Sequence, residues 1–305
     1  MEKIKLIALV GATASGKSAA ALELARALGG EIVSCDSMQV YRGMDIATAK
    51  PTPAERAAVP HHLIDVAEPE TPYSVASYLA DAEAAVREIT ARGKLPVFCG
   101  GTGLYLDRFL FGGLPAQTVS DEGLRASLLA EAAEKGNEYL HRELAKIDPA
   151  SAAAIHPNNV RRVARAIEIY RLTGAPKSEW DKQTKVGECR YDARVILLDR
   201  PREELYRRID VRVDQMIADG LLEETEALDR RGVFQTNSTA AQAIGYKEIL
   251  PYLHGDCDLP GAVESLKNAT RHYAKRQLTW FSAKPYVRAV AAEKVVPLLL
   301  KGENS

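Results

Sequence analysis

Residues 4–18 leave this chain few architectures. Gly11-Ala12-Thr13-Ala14-Ser15-Gly16-Lys17-Ser18 fits the pattern G-x-x-x-x-G-K-[ST]. It lies between an apolar run at 4–10, which reads as a central parallel strand, and an alanine- and leucine-rich segment at 17–28, which reads as a helix. Gly29-Gly30 stops that helix. Glycines let such a turn curl so that successive N–H groups face an anion, and the helix N-terminus adds partial positive charge. Lys17 supplies a mobile full charge, and the Ser18 hydroxyl suits Mg²⁺. The turn predicts phosphate binding without saying whether the phosphate belongs to a nucleotide.

Further strands are expected at 31–35, 95–99 and 194–198, with a helix over 74–92 and a proline-punctuated loop at 50–72. Strand–helix alternation of this kind predicts an α/β fold: a P-loop-type parallel sheet flanked by helices. From about 121 to 185 the patterns are helical without a convincing strand. We therefore expect a catalytic core of residues 1–114 and 192–305, interrupted by an all-helical insertion of residues 115–191. The remainder reads as mostly helical, over 201–218, 221–231, 240–253 and 260–282.

The 305 residues carry 40 basic and 41 acidic side chains, so global charge gives no support for nucleic-acid binding and any such site must be local. Cys35, Cys99, Cys189 and Cys257 lie far apart without metal spacing, the usage of reduced thiols in a cytoplasmic protein. No apolar stretch approaches bilayer length, so a soluble protein is expected.

Asp36 ends the second expected strand, on the side of the sheet where ligands bind, and so faces the same crevice as the phosphate turn. A carboxylate there suits a metal ligand, a loop cap or a general base. Gly100-Gly101-Thr102-Gly103 points a second flexible turn and a hydroxyl into that space. Arg208 and Arg212 lie one helical turn apart; they suit either an anion or a solvated face paired with Asp210 and Asp214. Arg161, Arg162 and Arg165 crowd one expected helix, and Lys267, Arg271, Lys275 and Arg276 follow helical spacing on another. Such stripes either track an RNA backbone or form solvated faces. His61-His62 lacks a third ligand at useful spacing, and Trp280 and Phe281 are expected to pack the terminal helix.

Taken together, these residues resemble the tRNA dimethylallyltransferase (tRNA isopentenyltransferase) family. The similarity rests on the phosphate turn, D-S-M-Q-V-Y-R-G-M-D-I-A-T-A-K-P at 36–51, H-H-L-I-D at 61–65 and G-G-T-G-L-Y at 100–105. It continues with H-P-N-N-V-R-R-V-A-R-A-I-E at 156–168, A-I-G-Y-K-E at 243–248 and Y-A-K-R-Q-L-T-W-F at 273–281. The run at 36–45 is highly specific; the phosphate turn alone is not. The chain departs from the family's usual pattern at Ala12 (usually Pro), Ser18 (usually Thr, the hydroxyl being kept) and Ser282 (commonly Arg).

The resemblance implies transfer of a dimethylallyl group from dimethylallyl diphosphate to N6 of the adenosine just 3′ of certain anticodons. It implies a general base at Asp36, a substrate-positioning hydroxyl at Thr102 that also meets the tRNA, and a diphosphate cradle at 13–18, with Mg²⁺ on Ser18. It favours Arg208 or Arg212 as a diphosphate contact. Asp36, Ser37, Met38 and Gln39 match tRNA-contacting segments, as do Arg161, Arg162, Val163, Ala164 and Arg165; Arg125 resembles a further contact. A monomer acting on the anticodon stem-loop, away from any membrane, is expected. Three rivals remain at this point: a P-loop kinase, which would turn over ATP; a prenyltransferase acting on free AMP, ADP or ATP; and a non-enzymatic RNA-binding protein.

Overall fold

A computed structural model describes residues 2–112, 121–183 and 187–302. In chain order the first elements are β1 (Lys5–Val10), α1 (Lys17–Leu28), β2 (Glu31–Cys35), α2 (Pro53–Ala58) and β3 (His61–His62). Next come α3 (Val75–Ala91), β4 (Pro96–Gly100) and α4 (Gly103–Phe111). A run of helices follows: α5 (Glu122–Lys135), α6 (Asn137–Ile147), α7 (Pro149–Ala154), α8 (Val160–Thr173) and α9 (Lys177–Gln183). The chain then forms β5 (Asp192–Asp199), α10 (Arg202–Ala218), α11 (Leu221–Arg230) and α12 (Val233–Thr236). It ends with α13 (Tyr246–Leu253), α14 (Leu259–Ser282), β6 (Val287–Ala291) and α15 (Val295–Leu300).

Two compact units result, Met1–Leu110 with Cys189–Ser305, and Phe111–Glu188. The division expected at 114/115 falls among residues outside those described, and the return comes a few residues before the expected 192. Among the described residues no helix is long and apolar enough to cross a membrane.

The first unit is built on a parallel sheet in the order β3-β2-β4-β1-β5-β6. Its centre is β1, where Leu6, Ile7, Ala8, Leu9 and Val10 are all buried, as a strand covered on both faces requires. One face packs Ile7, Leu9, Ile32, Val97 and Ile196 against Leu24 of α1 and Val295 and Leu299 of α15. A second core gathers Leu205, Ile209 and Val213 of α10 with Leu228, Ile249, Leu266 and Ala274 from α11, α13 and α14. Strand order reverses beside β1, so the loops after β1, β2 and β4 converge on one crevice at the carboxyl edge.

Several expectations need correction. The segment at 50–72 contains α2, whose capping box joins Thr52 and Glu55, and the short edge strand β3. The turn at 100–103 runs directly into α4. The helix expected over 240–253 is broken at Gly245, whose φ of +111 belongs to glycine and whose missing Cβ leaves room for Ala47. After 282 comes a parallel strand, β6, where no element was expected; among the described residues it pairs only with β5 and is half-exposed, so it lacks the apolar run of a central strand.

Among its described residues the second unit has helices and no strand, closed around Leu128, Leu140, Leu144, Val163, Ala166 and Ile167. Asp148 caps α7 through the Ser151 N–H at 3.0 Å and reaches the Ser178 N–H at 2.9 Å. Burial alone would raise its pKa, but these hydrogen bonds outweigh burial and bring it down to about 2.

Candidate active site

The phosphate turn is shaped by three left-handed residues, Gly11 at φ +145, Ala14 at +62 and Gly16 at +97. A Cβ on Gly11 would lie 3.2 Å from the Leu198 carbonyl, so the close approach to β5 also favours glycine there. Cations hold the loop's carbonyls: Lys17 Nζ donates to Ala12 O at 2.7 Å, Arg208 Nε to Ala14 O at 2.8 Å and Arg200 Nε to Ser15 O at 2.6 Å. The N–H groups of Lys17 and Ser18 open α1 and have no partner within the helix. That is the arrangement of an anion cradle.

Lys17 and Asp36 line one cavity of about 270 Å³, together with Thr13, Ser18, Ser37, Met38, Gln39, Arg212, Tyr273 and Arg276. Ala21, Ile32, Ile64, Val213 and Leu266 give it apolar wall. The Asp36 carboxylate has one oxygen, Oδ1, accepting from the Met38 N–H at 2.8 Å and the Gln39 N–H at 3.4 Å. Its Oδ2 makes no hydrogen bond among the described residues. Asp36 is therefore a loop cap with half its carboxylate to spare. Burial above all, and with it the charge of Arg212, lowers the Lys17 ammonium to about 8, against the raising pull of the Asp36 carboxylate. Burial likewise pushes the Cys99 thiol up to about 11, so it stays protonated at neutral pH.

Arg208 and Arg212 part company. Arg212 lines the cavity with Lys17, while Arg208 props the phosphate turn and faces a wider cavity of about 860 Å³ that shares Lys17, Ser18 and Arg212 with the first. Asp210 and Asp214 pair with neither arginine; they bind Arg271 and Lys267 of α14, each at 2.6 Å. Half of the expected basic stripe on α14 is thus tied to α10 instead of lying free for RNA. Of the remainder, Lys275 and Arg276 are both exposed, and Arg276 lies over the Tyr273 ring at 5.5 Å on the cavity wall.

Thr102 does not line the cavity. Its Oγ1 accepts the Ser37 N–H at 3.1 Å and its N–H donates to Cys35 O at 3.1 Å, so it fixes the loop that carries Asp36. Gln39 turns its amide to Ser34, Thr48 and Ala49. His61 gives Nδ1 to Val59 O at 2.7 Å and His62 meets Glu31 at 2.7 Å; no group of three metal-ligating side chains exists among the described residues. Phe281 is buried as expected, but Trp280 is 38% exposed, with its ring against Gly103 and Lys284 Nζ 4.8 Å above it.

In the helical unit, Arg161 and Arg162 are exposed. Val163 and Ala164 are fully buried, their side chains part of the helical core. Arg125 and Arg165 both bond the buried carboxylate of Glu168, at 3.0 and 2.8 Å.

Sequence reasoning missed three contributors to the cavity. Tyr273 and Gln277 sit on α14 at i and i+4 with Arg276 between; the run at 273–281 carries the family resemblance, but its i, i+4 spacing alone does not mark which face meets the cavity. Glu224 accepts the N–H groups of Asp45, Ile46 and Ala47 and so shapes the 45–49 wall; nothing in the sequence marks that distant carboxylate.

Comparison with known proteins identifies the family and the fold. A family model described as IPP transferase matches residues 39–284, and one described as isopentenyl transferase matches residues 4–65. The tRNA dimethylallyltransferase of Geobacillus kaustophilus is 50% identical over 277 residues, covering 91% of this chain and 87% of the relative. That of Geobacter sulfurreducens is 46% identical over 288 residues, covering 94% and 92%. A crystal structure of the full-length tRNA isopentenylpyrophosphate transferase from Bacillus halodurans aligns with a TM-score of 0.72 at 44% identity, covering 98% of this chain and 95% of that one. A eukaryotic dimethylallyltransferase acting on tRNA aligns with a TM-score of 0.79 at 30% identity, covering 95% and 74%. With its phosphate turn and its spare carboxylate on one cavity, and with family matches running across most of its length, this chain belongs to the IPP transferase family of tRNA dimethylallyltransferases.

Proposed function

We propose that the chain transfers a dimethylallyl group from dimethylallyl diphosphate to N6 of the adenosine 3′ to the anticodon in tRNA, releasing diphosphate. The observation that carries the reading is that Lys17 and Asp36 line the same cavity, Asp36 with one oxygen uncommitted.

The exocyclic amine of adenine is a weak nucleophile because its lone pair is delocalised into the ring. Asp36, its Oδ1 pinned by the turn, accepts a hydrogen bond from N6–H through Oδ2, orients the amine and takes its proton as the C–N bond forms. On the donor the allylic C–O bond breaks and negative charge gathers on the departing oxygen. The opening amides of α1, Lys17 and Arg212 stabilise that charge. Binding of the diphosphate draws Lys17 Nζ away from Ala12 O and favours its charged form. Apolar wall from Ile32, Ile64 and Val213 suits a prenyl tail and keeps water from the allylic carbon.

The donor set fits Mg²⁺ of the kind that keeps most of its waters: a single hydroxyl, Ser18, beside an anion cradle, with no protein cage among the described residues. Ser18 and the diphosphate would hold the ion, which would supply further charge for the leaving group.

The adenosine must leave its stack to reach Asp36, which a single-stranded loop makes cheaper. Exposed Arg161 and Arg162 support a tRNA-binding role for the helical unit. Four free cysteines support a cytoplasmic setting, and we read the enzyme as a monomer.

The acceptor is tested by offering AMP and an anticodon stem-loop separately with labelled donor. Label on the stem-loop alone is expected; label on AMP alone would transfer the reading to the adenylate prenyltransferases, and ATP hydrolysis without prenyl transfer would favour a kinase.

A further inference from the structure

Gln277 spans the two halves of the cavity. Its side chain, 5% exposed, accepts the Thr13 N–H through Oε1 at 2.8 Å and donates through Nε2 to Gly101 O at 3.1 Å. Each partner has only one role, an amide that donates and a carbonyl that accepts, so a carboxamide in this orientation satisfies both at neutral pH, whereas an ionised carboxylate cannot. Thr13 belongs to the phosphate turn. Gly101 leads into Thr102, whose hydroxyl holds the Ser37 N–H beside Asp36. The contact has shaped the turn itself: a Cβ on Gly101 would lie 1.8 Å from Gln277 Nε2.

We propose that Gln277 is a positioning residue that sets the separation between the diphosphate cradle and the loop carrying Asp36. The proposal rests on the reading of this cavity as a prenyl-transfer site and deepens it. Leaving-group stabilisation and proton removal occur in one step on either side of the allylic carbon, so their spacing governs the rate. Sheet pairing fixes where the strands end, with Val10 and Cys35 each paired to Gly100. Beyond those ends the Gln277 amide ties Thr13 of one turn to Gly101 of the other.

The test uses the full-length chain and inorganic pyrophosphate with Mg²⁺ as the probe, by calorimetry between pH 5 and 8, with thermal midpoints to confirm folding. Gln277→Met fills the space without bonding, and its pyrophosphate affinity is expected to fall about tenfold at every pH, the scale of one or two lost hydrogen bonds. In Gln277→Glu the ionised carboxylate cannot donate to Gly101 O, whereas the protonated acid can. Its affinity relative to wild type should therefore be lowest at pH 8 and recover as pH falls. Single-turnover transfer should follow the same order. Should Gln277→Met fail to fold, Gln277→Asn, one methylene short of both partners, replaces it with the same loss expected.

Charge repulsion alone would give the Gln277→Glu pH dependence but leave Gln277→Met like wild type; that result overturns the proposal, as does a pH-independent ratio for Gln277→Glu. Pyrophosphate binding needs no acceptor and no turnover. A wild-type protein that binds pyrophosphate yet transfers nothing would sink the functional reading and leave this test readable.

Discussion

Lys17 shows how packing changes what a motif residue does. The sequence supplies an ammonium at the right place in a phosphate turn, but the fold buries it, sets Arg212 beside it and brings its pKa to about 8. A lysine with a depressed pKa is charged below that value and neutral above it. Pyrophosphate affinity of the wild type should therefore weaken as pH rises through about 8, and Lys17→Met should bind weakly with that pH step gone; titration calorimetry from pH 6.5 to 9.5 checks both. Asp36 was legible as a residue facing the crevice, but its division of labour was not. One oxygen caps the Met38 amide, so Asp36→Asn, which keeps an oxygen for the cap, should retain the fold and RNA binding. It should lose at least about a hundredfold in single-turnover transfer, the lower end of general-base contributions.

At the scale of elements, long apolar or strongly patterned segments were readable, and those defined by distant partners were not. α1, β2 and α3 follow from local pattern and caps, with Ser74 bonding the Ser77 N–H at the start of α3. The break before α13 falls at Gly245, but the contact that demands a glycine there, Ala47, is far off in sequence; β6 was missed because an edge strand has only one neighbour. In α8 the arginine cluster was readable, but not that Glu168, fully buried, would claim Arg165 together with Arg125 of α5. Burial alone would raise the Glu168 pKa; the arginine hydrogen bonds outweigh it and hold the pKa below the ordinary 4.5. This stabilisation is full above the ordinary value and fades as pH falls through the lowered one. Glu168→Ala should cost about 3 kcal/mol at pH 7, a buried pair broken from one side, and should remove that acid-sensitive component. Urea unfolding at pH 7 and pH 3.5 checks it.

For the whole molecule, the division into an α/β unit and a helical unit assigns chemistry to the first and, in our reading, grip on tRNA to the second. The interrupted α/β pattern was legible from patterning alone, because strand signals stop after 95–99, helical patterns run from about 121 to 185, and a strand returns at 194–198. The balance of 40 basic against 41 acidic side chains hides the local charge, which only burial and pairing sort into free and committed arginines. Reversing the exposed pair, Arg161→Glu with Arg162→Glu, should weaken tRNA binding and reduce its salt slope by about two, while pyrophosphate binding stays unchanged. Filter binding across a salt series, beside pyrophosphate calorimetry, reads both effects.

The central claim is that one cavity joins an anion cradle to a base for prenyl transfer. It is tested most directly by incubating the purified protein with labelled dimethylallyl diphosphate, Mg²⁺ and unmodified tRNA, then digesting the tRNA and locating the label. The account predicts label on N6 of the adenosine 3′ to the anticodon with no ATP added. Pyrophosphate-binding protein that leaves the tRNA unlabelled, or that modifies another atom, would contradict it.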